Sequence, residues 1–417
     1  MKSGYSVART AIIGLGIFGN TALWAVYNQY VPVFLQQKFA LPVAAIGLIM
    51  TLDNLAALFI QPLVGAWSDR TRTRIGRRMP YILIGAPIAA LCFALVPLQT
   101  ELPLFMLALI GTLLAMVTFR TPTASIMPDV TPSAYRSQAN GILNLLGGIG
   151  GIVAFFVAGA LYKQNAALPF WLVAGLMVAA MLLIFLFVRE PRVPPPSEAE
   201  ASASPWASLT EVFRDPEKSG LRLLLALFAW FLAFSAIEAM FSLYALNRLG
   251  IPESESALQL GLLSVMFALI AVPAGSLGAR IGRRRTISLG IAILALMTAL
   301  VFVLPPVTLA TELANIGIGK LRVLSLPMLV MGVGWGLINI NSLPMVVDLT
   351  DNRKIGAYTG LYYLFQMAAS VAGPITAGAL IQASGNDYNL TLLFSTVALI
   401  ASLALMQTVR RGEAQPA

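Results

Sequence analysis

The chain has 417 residues, 58% of them apolar and 11% charged, far less charge than a soluble globule of this size carries, so a soluble fold is excluded. Its net charge of +9 is scattered in short segments between apolar runs, which argues against a nucleic-acid partner and for basic residues that set orientation in a bilayer. A polytopic membrane protein remains.

Apolar stretches near 9–36, 42–67, 80–99, 102–128, 138–162, 168–188, 220–247, 257–279, 286–304, 322–347, 356–381 and 389–409 are each long enough to span. The predicted fold is therefore all-α, with twelve transmembrane helices. The first stretch is too long and too rich in polar and aromatic residues for a signal peptide and reads as a span. Its Asn20, Trp24, Tyr27 and Asn28 recur at helical spacing and share one face. Such a face suits a sugar: rings stack on flat C–H surfaces, and amides offer donors and acceptors to hydroxyls. Packing is the competing role for the two rings. GLGIFG at 14–19 opens a membrane helix with no strand before it, so it is small-residue packing rather than a dinucleotide site, and no cofactor is expected.

The second span carries Asp53, with Asn54 beside it as a further substrate-binding candidate. An acid at bilayer depth costs at least roughly 2.5 kcal/mol to insert and faces water or a partner. Histidine is absent and Cys92 is the sole cysteine, so a histidine or thiolate metal site is excluded, no metal is expected, and proton chemistry near neutral pH falls to carboxylates. Arg120, on the fourth span, lies about 9 Å from the level of Asp53 by helix rise, within reach of its long side chain. Asp53 then either accepts a coupling proton, with burial and Arg120 pulling its pKa in opposite directions, or forms a fixed ion pair.

The loop after the second span reads QPLVGAWSDRTRTRIGRR from Gln61 to Arg78. This pattern resembles the G-x-x-x-D-R-x-G-R-R loop of the major facilitator superfamily, and its longer form is similar to the sucrose-transporter and glycoside-pentoside-hexuronide cation symporter branch. The resemblance implies a gating latch at Asp69, Arg70, Arg77 and Arg78, against the plainer reading of a loop held inside by positive charge alone. A second block, PTASIMPDVTPSAYRSQANGILN, looks like that branch's turn from helix 4 into helix 5. Here Asp129 and Arg136 are expected to pair across the turn, with Asp348 and Arg353 doing the same in the second half, either as gating elements or as simple helix caps. The pattern also breaks: Gln61 and Ala57 stand where melibiose-permease-like members carry carboxylates, which disfavours sodium and leaves a proton.

Further along, Asn144 lies on the fifth span, and a Pro, Ser and Ala-rich stretch within 189–219 reads as a linker between halves at 1–188 and 220–417. The halves repeat: Asp129 and Asp348, and Gly141 and Gly360, each lie 219 residues apart, and Ile75-Gly76-Arg77-Arg78 recurs as Ile281-Gly282-Arg283-Arg284. Ala279 replaces Asp69 in the second copy. Trp230 and Glu238 on the seventh span, Trp335 and Asn339 on the tenth, and Tyr362 and Gln366 on the eleventh extend the substrate-binding set, Glu238 serving as a second proton-coupling acid.

Twenty Lys and Arg fall on the side of the termini against five opposite, which places both termini in the cytoplasm of a cell-membrane protein. With no nucleophile and base set, an enzyme is not expected. The sequence thus points to a proton-coupled sugar or glycoside symporter acting as a monomer in a lipid bilayer by alternating access; the alternative is a proton-driven exporter of amphipathic compounds.

Overall fold

The computed structural model describes residues 6–132, 135–190, 212, 214, 217–317, 319–349 and 355–413, apart from the side chains at 62, 66, 69, 128, 136–138 and 355–357. Among the described residues, twelve helices are long and apolar enough to cross a membrane. Their outer faces keep large apolar side chains exposed, among them Leu107, Phe187, Leu269, Val272 and Leu296, as a hydrocarbon surround allows and water does not.

Contacts divide the chain into two compact units, Met1–Ala40 with Leu52–Ser197, and Leu41–Thr51 with Glu198–Ala417. The first unit holds α1 (Val7–Gln37), α3 (Leu52–Arg70), α4 (Met79–Leu95), α5 (Leu102–Val130), α6 (Arg136–Val153), α7 (Gly159–Tyr162) and α8 (Leu168–Phe187). A π-helical turn, Ala154–Ala158, joins α6 to α7. Helix α1 lies against α6, where a Cβ at Gly150 would collide with the backbone of Phe18; glycine is what permits that approach. Tyr30, Phe34, Phe93, Tyr162 and Phe170 form an aromatic cluster in this unit, with Tyr30 and Tyr162 stacked at 4.3 Å.

The second unit holds α2 (Val43–Ile49), α9 (Ser219–Leu249), α10 (Glu253–Ile281), α11 (Arg283–Val303), α12 (Pro306–Ala310), a hairpin of β1 (Glu312–Asn315) and β2 (Lys320–Arg322), α13 (Ser325–Val347), α14 (Ile355–Ala383) and α15 (Leu390–Gln407). The expected second span is thus broken at Met50–Thr51. Thr51 turns its hydroxyl and its N–H onto the Leu48 carbonyl, tightening the chain there. Helix α2 packs on α14: Gly378 meets the backbone at Val43 and Ala44, and the Ala44 N–H donates to Gln382 at 3.1 Å. The hairpin is a second departure, because the expected tenth span begins at 322 and the helix begins at Ser325. Arg322 sits in β2, where it pairs with Glu255 at 2.6 Å. The expected linker, 189–219, lies mostly outside the described residues.

Candidate functional site

Within the first unit, α1 carries Asn20, Trp24, Tyr27 and Asn28. Trp24 donates its indole N–H to Asn20 Oδ1 at 3.3 Å, and the Trp24 and Tyr27 rings meet edge to face at 5.4 Å. Tyr27 is fully buried, and its hydroxyl has no hydrogen-bond partner among the described residues. Asn28 is half-buried one residue on. Tyr27 lies within electrostatic reach of Asp53 on α3, and Asn54 donates its amide to Asp53 Oδ1 at 2.9 Å. Helices α3 and α5 pack together, so Asp53 and Arg120 lie on neighbouring elements, Asp53 half-buried and Arg120 exposed. Asn144 is exposed on α6 and turns its amide back onto the Asn140 carbonyl.

The second unit gathers a more aromatic set. Trp335 on α13 stacks on Phe234 of α9 at 3.6 Å and 1°, and Phe231 stands edge-on to both Trp335 and Tyr362. Tyr362 shares a 2.9 Å hydrogen bond with Ser342. Asn339 Nδ2 and Gln366 Oε1 are buried without partners among the described residues, leaving a donor and an acceptor unused there. Trp230 is completely enclosed, its indole N–H also unpartnered among the described residues. Glu238 is half-buried on α9, one turn beyond Phe234. Phe231 and Phe234 were missed by the sequence reading. Their signal was the i, i+3, i+7 register with Glu238, hidden in a helix that is apolar almost all round.

The basic loops make the best-defined polar sites. In the first unit Asp129 is clamped by Arg77, at 2.5 and 3.2 Å, and by Arg78 at 3.2 Å, with all three side chains under one-fifth exposed. Arg78 also donates to Ser68. Arg136, the partner expected for Asp129, has its side chain outside the described residues, as has Asp69, while Arg70 is exposed at the end of α3. In the second unit Asp348 pairs with Arg283; Arg353, its expected partner, lies outside the described residues.

Two further acids were not foreseen. Glu190 accepts the backbone N–H groups of Arg77, Arg78 and Met79 at 2.8–3.2 Å, and Glu413 accepts those of Arg283 and Arg284 at 2.7 and 3.0 Å. Each follows the last spanning helix of its unit and seats its carboxylate on the amino end of α4 or α11, where unpaired N–H groups favour negative charge. Gly76 and Gly282, at φ of +121° and +93°, create these cradles; a Cβ on either would run into the carboxylate. Their spacing differs from the 219-residue repeat, so internal comparison did not expose them.

The profile of the Major Facilitator Superfamily matches residues 13–374, with a second match at 273–416. The chain belongs to that superfamily. It is accordingly a multi-pass membrane protein of a family of transporters and not of enzymes. Among its relatives, the Proton-associated sugar transporter A of Homo sapiens is 28% identical over 46% of this chain, which spans 29% of that relative's length. Multidrug resistance protein 1 of Bacillus subtilis (strain 168) is 24% identical over 87% of this chain and 86% of its own. Crystal structures of similar fold include the nucleoside transporter NupG, at TM-score 0.68 and 16% identity over 96% of this chain and 99% of that one. A bacterial homologue of the human lysosomal transporter Spinster reaches 0.73 at 15% identity, over 99% and 98%.

Proposed function

We propose that this transporter is a proton-coupled symporter of a sugar or glycoside that works by alternating access. The observation that carries the reading is the α1 face of Asn20, Trp24, Tyr27 and Asn28, with the buried Tyr27 hydroxyl unsatisfied and the Asp53–Asn54 pair within electrostatic reach. Amides and rings bind hydroxylated rings, and a half-buried acid beside them is where a proton would be taken up and released. Several relatives carry names of the same kind, among them a sugar transporter and a sucrose transport protein. Glu238 is the second coupling acid, and Asn144, Trp230, Trp335, Asn339, Tyr362 and Gln366 complete the substrate set. The clusters around Asp129 and Asp348 serve as gating elements, and both termini face the cytoplasm.

A rival reading, export of amphipathic compounds, is favoured by one observation: Phe231, Phe234, Trp335 and Tyr362 form a cluster of packed rings. Proteoliposomes separate the two. With an inward proton gradient, labelled glycosides accumulate, and dissipating the gradient abolishes the accumulation. The Asp53→Asn variant binds sugar but loses gradient-driven accumulation by about 100-fold, the scale at which acid–base groups contribute. Full accumulation by this variant would remove Asp53 from the coupling role. Gradient-driven expulsion of a hydrophobic dye with no glycoside uptake would establish the exporter.

A further inference from the structure

In the second unit, α9 starts beside the C-terminus, where Arg222 donates to the Thr408 carbonyl and the Arg410 N–H donates to Ser219. Arg248 is in the last turn of the same helix, about 45 Å away by helix rise, at the opposite end of the unit. There an open groove of about 560 Å³ runs between the end of α9 and α12, lined by Arg248, Leu249, Pro306, Val307 and Ala310.

Both walls are fixed. Gly250 closes α9 at φ +64°, and its N–H returns to the Ala245 carbonyl. On the other side Leu309 anchors α12, fully buried, while Arg322 donates to the Ala310 carbonyl at the end of that helix. Arg322 is itself held by Glu255 through Nε and Nη2 at 3.0 and 2.6 Å, in a pair with side chains 14% and 10% exposed.

The groove is amphipathic along its length. Leu300 and Val303, on the outer face of the spanning helix α11, are 41% and 75% exposed, and Val307 on α12 is 81% exposed. Arg248 supplies a permanent cation at the level where the spanning helices α9 and α11 end. It is exposed and has no hydrogen bond or ion pair among the described residues; Asp387, whose charge reaches Tyr244 together with that of Arg248, does not pair with it. An arginine closing a helix C-terminus needs no apolar trough beside it.

We propose that this groove binds one phospholipid with an anionic headgroup, its phosphate on the Arg248 guanidinium and an acyl chain along Leu249 and Val307. A guanidinium beside an apolar trough matches the phosphate and the chain of such a lipid.

Native mass spectrometry of the purified full chain, with phosphatidylglycerol or phosphatidylcholine of matched chains added in turn, tests it. Wild type retains phosphatidylglycerol over phosphatidylcholine. Arg248→Ala lowers that preference about fivefold, the effect of one arginine on one anionic headgroup. Val307→Asp weakens retention of both lipids. Arg280→Ala, which removes an exposed arginine at the other end of α10, leaves the preference unchanged. No preference in wild type, the same preference in Arg248→Ala, or an equal loss in Arg280→Ala would each overturn the proposal.

Discussion

The two basic loops descend from one repeat and share a scaffold, yet they are built to different strengths. Around Asp129, two arginines converge on one carboxylate, Arg78 reaches on to Ser68, and the charged side chains are 7–17% exposed. Around Asp348, Arg283 approaches alone among the described residues, at 21% and 35% exposure, and Arg284 turns away to cap the carbonyls of Met406 and Gln407 at the end of α15. Glu190 takes the N–H groups of three residues where Glu413 takes those of two. A paired charge out of water is costly to strand, whereas an exposed pair trades one set of solvated contacts for another. The same fold element is therefore a firm joint in one unit and a loose one in the other.

Three substitutions test that contrast. Asp129→Ala leaves Arg77 and Arg78 without their shared carboxylate and is expected to cost about 3 kcal/mol in the first unit. Cys92, the sole cysteine, lies half-buried in α4, so its labelling by a thiol-reactive dye during heating reads this unit directly. Unchanged labelling temperature would show that the buried network is not a firm joint. Glu190→Gln keeps the shape but removes the charge from the amino end of α4, with an expected loss of about 1 kcal/mol by the same readout. A loss as large as that of Asp129→Ala would make the backbone cradle, rather than the arginine clamp, the main tie. Asp348→Ala is expected to change stability by less than about 1 kcal/mol, followed through the fluorescence of Trp230 and Trp335 in a background whose other four tryptophans are replaced by phenylalanine. A larger drop than in Asp129→Ala would reverse the ranking.

Much of the scaffold was legible because bilayer thickness demands long apolar runs, and these survive in any reading of the chain. The break at Met50–Thr51 was not, because no proline marks it, and the hairpin at 312–322 escaped because short strands leave no hydropathy signal. Of the candidate site, the α1 face was visible since its four residues belong to one helix whose period is known. Phe234 over Trp335 was invisible: two helices supply the rings, and nothing local says which will stack. Arg77 and Arg78 reach Asp129 from a different loop, a meeting that no local spacing announces.

Residue order alone therefore determined the number of spans, the internal repeat and the positions where charge enters the apolar layer, because these depend on transfer of single segments between water and lipid. Tertiary structure alone decided which arginines hold Asp129, that Glu190 and Glu413 sit on backbone N–H groups, and that Leu41–Thr51 packs with the second unit. Those outcomes depend on which helices meet, and charge pairing and ring stacking act only over a few ångströms once packing has brought the groups together.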